Sequence, residues 1–234
     1  MKTPGSLQKT GISEGLSYTA WVPGSKSYTN RALIIAAQRI GTTRIHHALI
    51  CDDTQFLAAA LSQFGGIQVT QEGRDFIVTR SQQKIEAPAA PLYVGGAGTP
   101  ARFLIAFAAS AQGTTTITGN PRLSERPMGD LLQALTHAGI PWTAVGKENC
   151  LPVSVTGSQP SNFHWSVNGN VSSQFLSALI LLAAQQPSSR VDITVTKGLV
   201  SVPYVEMTLA MLNEAGVKSE RLDKTHFVVI PGAP

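Results

Sequence analysis

Pro23-Gly24-Ser25-Lys26-Ser27-Tyr28-Thr29-Asn30-Arg31 runs directly into Ala32-Leu33-Ile34-Ile35-Ala36-Ala37, and the reading of the whole chain turns on this stretch. Small and hydroxyl residues come first, then two cations, then an apolar run with helical character. That order makes a helix N-terminus with Ser/Thr/Asn capping chemistry. Such an end presents unpaired N–H groups and the positive pole of the helix, which attract anions. Lys26 and Arg31, five positions apart, are expected to bring both charges towards one anion. An ordinary capped surface helix is the plain alternative, so the rest of the chain must say whether the site is built again.

It is built again, twice. In the first pass Leu16 to Val22 reads as a short strand, the opening helix stops at Gly41, and Thr42-Thr43-Arg44-Ile45 starts a strand. Asp52-Asp53-Thr54 is expected to cap a helix over Gln55 to Phe64, ended by Gly65-Gly66. Strands Ile67 to Thr70 and Asp75 to Thr79 follow, joined by a Glu72-Gly73-Arg74 turn. In the second pass strand Leu92 to Val94 leads through Gly95-Gly96-Ala97-Gly98-Thr99-Pro100 into helix Ala101 to Ala111, with Gly113-Thr114-Thr115 repeating the earlier exit. Glu125-Arg126-Pro127 opens helix Met128 to Ala138, and strands lie near Pro141 to Val145 and Leu151 to Val155. In the third, strand His164 to Val167 leads through Gly169-Asn170-Val171-Ser172-Ser173 into helix Gln174 to Ala184 and exit strand Val191 to Thr196. Ser201-Val202-Pro203-Tyr204 opens helix Val205 to Ala215, and Phe227 to Ile230 is the last strand.

The glycines ending the second helices, Gly65, Gly139 and Gly216, are spaced by 74 and 77 residues. The first-helix starts at Lys26, Thr99 and Ser173 are spaced by 73 and 74. The period is too long for a solenoid unit. The expected fold is therefore α/β: one lobe of three βαβαββ pseudo-repeats, about 21–85, 90–157 and 163–230, with approximate threefold symmetry. In such a lobe the helix starts can face a common centre.

Composition limits the ligands. With 43% hydrophobic and 14% charged residues the chain can fill a core and is not disordered. No apolar run approaches the ~18 residues of a membrane helix, and Met1-Lys2-Thr3-Pro4-Gly5 lacks a signal peptide's hydrophobic segment. A cytoplasmic location and no membrane contact are expected. Cys51 and Cys150 form neither a disulfide framework nor a metal spacing, and Cys51 is expected to be a small buried hydrophobe. The five histidines show no ligand spacing, so no metal and no cofactor are expected. A net charge of +4 without a basic run or aromatic-basic interleaving favours small anions over nucleic acid.

If the three starts converge, the site takes Ser25, Lys26, Ser27 and Arg31 from the first unit. The second gives Gly98, Thr99, Arg102 and Arg126, and the third Ser172, Ser173, Gln174, Ser201 and Tyr204. Cations for phosphate and hydroxyls and an amide for alcohols suit a polyhydroxylated phosphate ester. Each member has a structural alternative: a tight turn at Gly95–Gly98, simple caps at Thr99 and Ser172-Ser173, an exposed Arg126, a packed Tyr204.

The motifs Pro-Gly-Ser-Lys-Ser (23–27) with Asn30-Arg31-Ala32-Leu33, Gly96-Ala97-Gly98-Thr99, Glu125-Arg126-Pro127-Met128-Gly129-Asp130, Gly169 to Leu176 and Ser201 to Tyr204 together resemble the 5-enolpyruvylshikimate-3-phosphate synthase family. The resemblance runs from about residue 16 to the C-terminus. It implies enolpyruvyl transfer from phosphoenolpyruvate to the 5-hydroxyl of shikimate 3-phosphate, with release of phosphate and no metal. It also implies a monomer of two similar lobes that close on substrate. By this resemblance Ser27, Arg31, Ser172, Ser173, Ser201 and Tyr204 contact shikimate 3-phosphate, and Gln174 faces both substrates. Lys26, Gly98, Thr99 and Arg126 lie on the phosphoenolpyruvate side. Lys26, Gln174 and Arg126 are the catalytic candidates, Lys26 also touching shikimate 3-phosphate and moving a proton, with Arg102 nearby. Residues 1–20 then read as a lead-in and hinge, 21–226 as the substrate-binding lobe, and 227–234 as a crossover to a second lobe. Two positions depart from the family pattern: Gly96 stands where an Asn is usual, and Phe103 where Pro is common. Gly98, not Ala, implies sensitivity to glyphosate. An enolpyruvyl transferase acting on UDP-N-acetylglucosamine is the rival; its reactive cysteine is absent from Asn120 to Glu125. A stand-alone lobe that binds without catalysis is the other alternative.

Overall fold

The computed structural model describes residues 22–186 and 190–232. The expected strand at 16–22 and the lead-in at 1–20 therefore lie outside the described residues, apart from Val22. The chain runs α1 (Lys26–Gln38), β1 (Gly41–Ile45), α2 (Asp52–Leu61), β2 (Ile67–Glu72), β3 (Asp75–Arg80), β4 (Ile85–Glu86) and β5 (Leu92–Tyr93). It continues through α3 (Gly98–Ala108), β6 (Ala111–Gln112), β7 (Thr114–Thr118), α4 (Pro121–Ser124), α5 (Gly129–His137), β8 (Trp142–Ala144) and β9 (Val153–Thr156). The last part is β10 (His164–Gly169), α6 (Ser173–Ala183), β11 (Val191–Leu199), α7 (Val202–Glu214), β12 (Lys218–Arg221) and β13 (His226–Ile230).

One strand order recurs in three sheets. In the second sheet β5 runs parallel to β7, and β9 lies antiparallel between β7 and β8. In the third, β10 is parallel to β11, and β13 lies antiparallel between β11 and β12. The first shows the same order over its described strands, β3 between β1 and β2. The short parallel pair β4–β6 stitches the first unit to the second. Because β13 pairs along its length with β11 and β12, residues 226–230 belong to the third sheet. The expectation that the chain leaves the lobe from 227 onward is corrected to that extent.

The helices that open each unit form the centre. Every residue of α3 except Thr99, and every residue of α6 except Gln174, is buried. A helix apolar on all faces must sit inside. α3 packs on α6, α6 on α7, α1 on α2 and α7, and the sheets cover this helical layer. The exit turns repeat for a conformational reason. Gly41 and Gly113 carry φ of +104° and +103°, where a side chain is strained, and each turns the chain from a central helix into its exit strand.

Local details correct the sequence reading. Ser25 precedes α1 but makes no side-chain cap bond. α2 is capped by Cys51, reciprocally with Thr54, while Asp52 and Asp53 sit in the first turn, where the helix dipole favours them. Cys51 is thus a partly exposed cap and not a buried hydrophobe. α3 begins three residues earlier than expected, so Gly98, Thr99 and Pro100 form its first turn. The four-residue helix α4, capped by Asn120, and the short strands β4, β6 and β12 were not anticipated.

Candidate functional site

Two buried arginines bring the starts of four helices together. Arg31, in the second turn of α1, is 2% exposed. Its Nε donates to Thr208 Oγ1 (2.7 Å) and its Nη1 to the Ser27 carbonyl (3.0 Å). Its Nη2 donates to Ser177 Oγ (3.1 Å) and to the Tyr204 carbonyl (2.9 Å). The guanidinium also lies 5.4 Å from the Phe103 ring of α3. One side chain therefore ties α1 to α6, α7 and α3. Arg102, in the second turn of α3 and 3% exposed, donates from Nη1 to Gln174 Oε1 (2.7 Å) and to the Gly98 carbonyl (3.1 Å). It lies 5.1 Å from the Phe175 ring of α6, and its buried Nε has no partner among the described residues.

Arg126 completes the cluster from the loop before α5. A Cβ placed on Gly98 would stand 2.3 Å from Arg126 Nη1 and 2.9 Å from Arg102 Nη1, so both guanidiniums press on this glycine. Only a residue without a side chain lets two cations approach the helix start so closely. Burial pushes Arg31 down to about 10, and burial followed by the charge of Arg126 does the same to Arg102. Both stay cationic at neutral pH. Among the described residues no carboxylate pairs with Arg31, Arg102 or Arg126. Burying charge without a counter-ion is costly, and an anion bound at this centre offsets that cost.

The remaining expected residues ring this centre. Gln174 is half-buried, its Oε1 held by Arg102, and its Nε2 has no partner among the described residues. Ser172 caps α6, its Oγ accepting from Gln174 N–H at 3.2 Å. Ser173 is buried, and Thr99 and Ser27 are partly exposed in the first turns of α3 and α1. Ser201 sits before α7 with φ 53° and ψ 44°, makes no cap bond and is exposed. Left-handed backbone at a non-glycine costs ~1–3 kcal/mol and concentrates at ligand sites. The Tyr204 carbonyl is spent on Arg31 and Thr208, while the residue as a whole is 46% exposed.

Lys26 and Arg31 do not converge as expected. Lys26 turns to α2 and pairs with Asp53 at 3.1 Å, while Arg31 turns inward because α6 and α7 offer it three acceptors beside the Ser27 carbonyl of its own helix. Asp53 is a residue the sequence reading missed, having taken Asp52-Asp53 only as a cap. Ser177 and Thr208, polar residues inside apolar helical runs, were the available signal for an enclosed partner. Asp53→Asn is expected to leave stability within ~1 kcal/mol, since exposed ion pairs contribute little. It should tighten binding of inorganic phosphate about fivefold, one nearby negative charge being worth ~1 kcal/mol in water. Calorimetric titration beside a melting curve checks both.

A family model described as EPSP synthase (3-phosphoshikimate 1-carboxyvinyltransferase) matches residues 12–234. A 3-phosphoshikimate 1-carboxyvinyltransferase of Cupriavidus necator is 39% identical over 221 residues, covering 92% of this chain and 50% of the relative. One from Nostoc is 37% identical over 226 residues with the same coverage. A pentafunctional AROM polypeptide of Malassezia globosa is 36% identical over 230 residues, 91% of this chain and 14% of its own. Among solved structures, EPSP synthase from Acinetobacter baumannii superposes with a TM-score of 0.77 at 23% identity, covering 91% of this chain and 46% of that one. An enolpyruvyl transferase from Streptomyces tendae superposes at 0.64 and 16% identity, covering 91% and 48%. These two show the fold. The chain spans about half the length of the 3-phosphoshikimate 1-carboxyvinyltransferases it matches, and on the family match and these identities it belongs to the EPSP synthase family.

Proposed function

We propose that this chain is the substrate-binding half of a 3-phosphoshikimate 1-carboxyvinyltransferase. The reaction moves the enolpyruvyl group of phosphoenolpyruvate to the 5-hydroxyl of shikimate 3-phosphate and releases phosphate. One observation carries the reading: Arg102, buried, and Arg126 share the face of Gly98 without a carboxylate partner among the described residues, at the joined starts of α3 and α6. That is a built demand for a strongly anionic ligand, and the relatives' name supplies its class.

In this reading Arg126, Gly98, Thr99 and Lys26 receive phosphoenolpyruvate. Ser27, Ser172, Ser173, Ser201 and Tyr204 receive shikimate 3-phosphate, with the charge of Arg31 behind them. Gln174 presents its amide donors between the two, oriented by Arg102. Lys26, on the exposed side and held by Asp53, is the group that exchanges a proton with the reacting centre. Forming the C–O bond while phosphate leaves needs charge stabilisation on both sides of that centre. The residues outside this half supply the opposite wall, as the length of the relatives suggests. Residues 21–230 are the binding lobe on this account, since β13 closes its third sheet, and 1–20 its hinge. The ligands are small anions and not nucleic acid, no cofactor takes part, and the protein works as a cytoplasmic monomer. Among the described residues no helix is long and apolar enough to cross a membrane.

Calorimetric titration of the chain with shikimate 3-phosphate, with UDP-N-acetylglucosamine as control, tests this. Saturable binding of shikimate 3-phosphate alone is expected, with turnover near zero until the complementary half is added. Binding of only the nucleotide sugar would transfer the reading to its rival, and binding of neither would defeat it. The full-length protein should lose turnover in glyphosate because Gly98 leaves the anion pocket open; normal turnover at high glyphosate would refute that part.

A further inference from the structure

Gly96 is exposed, and a Cβ there would crowd one neighbour, the Asn120 amide. A Cβ built on it would lie 3.1 Å from Asn120 Nδ2, with Asn120 Cγ and Oδ1 further off at 3.9 Å. The nitrogen end of that amide therefore faces the loop between β5 and α3. Asn120 is fixed at three points. Its N–H donates to the Gly95 carbonyl at 2.8 Å, its carbonyl accepts from Ser124 N–H at 3.0 Å, and its Oδ1 accepts from Leu123 N–H at 2.9 Å. The last bond identifies Oδ1 as the acceptor end, so the amide cannot turn over without losing it. Nδ2 then carries two N–H donors with no acceptor among the described residues.

Capping explains only half of this. A serine, threonine or aspartate would satisfy Leu123 N–H equally well. Capping requires neither an amide nitrogen nor an empty position at 96. The placement of the nitrogen gives the other half. Residues 95–98 and 120–126 run side by side: Gly95 meets Asn120 through the backbone, Gly96 meets the Asn120 amide, and Gly98 meets the Arg126 guanidinium. The stretch that carries Arg126 thus also carries a neutral donor with no acceptor among the described residues.

We propose that the Asn120 amide is a further substrate-binding donor for phosphoenolpyruvate, and that glycine at 96 leaves the amide in that position. This deepens the function proposed above and rests on it. An oxyanion seated on Arg126 takes one Nδ2 proton as a hydrogen bond. A neutral donor there adds direction without adding to the repulsion between Arg102 and Arg126.

The test titrates the chain with phosphoenolpyruvate in the presence of shikimate 3-phosphate. Asn120→Ser keeps a side-chain acceptor for Leu123 N–H and removes the amide. It should weaken binding about three- to tenfold, the range for one neutral hydrogen bond, with an unchanged melting temperature. Gly96→Ala, whose Cβ displaces the amide, should weaken it similarly. Gly96→Asn with Asn120→Ser returns an amide from the other side of the contact and should restore most of the affinity. The Asn120 side-chain NH2 pair, recognised in nitrogen-15 spectra by its loss in Asn120→Ser, should shift during titration of the wild-type chain. Asn120→Ser binding like wild type while Arg126→Ala loses binding would overturn this inference and leave the proposed function standing. Unrescued loss in the double variant, with a stationary NH2 pair, would also overturn it. No binding by the wild-type chain would remove the proposed function and this inference together.

Discussion

Arg31→Lys is expected to destabilise the chain by about 2–4 kcal/mol, more than Arg31→Met, which should cost about 1–2 kcal/mol. The order runs against charge conservation and follows from the geometry. Arg31 spreads four hydrogen bonds over Thr208, Ser27, Ser177 and Tyr204, which lie on different sides of a planar fork. An ammonium concentrates its donors at one point and cannot reach all of them. It would leave a buried charge with too few partners, in a place 2% exposed. Methionine removes the charge altogether, and the acceptors keep part of their network. Thr208 Oγ1 still has two acceptors in reach of its one proton, the Tyr204 carbonyl at 3.0 Å and Ser177 Oγ at 3.2 Å. Denaturant unfolding of the three proteins at constant pH measures the order. A lysine variant as stable as wild type would show that charge alone, not the fork, joins these helices.

Gly98→Ala is expected to lower affinity for phosphoenolpyruvate about ten- to a hundredfold, the range for losing one charge-assisted bond. The fold should scarcely respond. The new Cβ meets Arg126 Nη1 at 2.3 Å, the far end of an exposed, flexible side chain that can swing away. Arg102 Nη1, at 2.9 Å, belongs to a buried side chain held by Gln174 and Gly98 and has little room. The strain therefore falls on Arg126, which leaves the anion. Alanine also has the better helix propensity by ~1 kcal/mol, which offsets residual crowding. Titration should show weak binding beside a melting temperature close to wild type. An equal loss of stability would mean that Gly98 serves packing and not the anion.

How much of this was legible in the chain differs by element. The Gly-Thr-Thr exits at 41–43 and 113–115 and the long apolar runs of α3 and α6 announced three α/β units, because turn chemistry and burial on all faces are local properties of a sequence. The motifs around Lys26, Gly98, Arg126 and Gln174 marked where the helices start. Cap positions were read less well. Of the expected cap Asp52-Asp53-Thr54 only Thr54 closes α2, together with Cys51, since either arrangement satisfies the same N–H groups.

The direction of each cation lay beyond the sequence. Lys26 and Arg31 share one helical turn and its neighbour, yet one pairs with Asp53 of α2 and the other is enclosed by α6 and α7. Their acceptors come from residues up to 177 positions away. Likewise nothing near Gly96 in the chain names Asn120 as the group that fills its empty side. Spacing and apolar pattern determined the units, their helices and the residue types offered to a ligand. Only the packing of those helices decided which charges stay exposed, which are buried and which glycines must stay bare, because those outcomes depend on contacts between segments far apart in the chain.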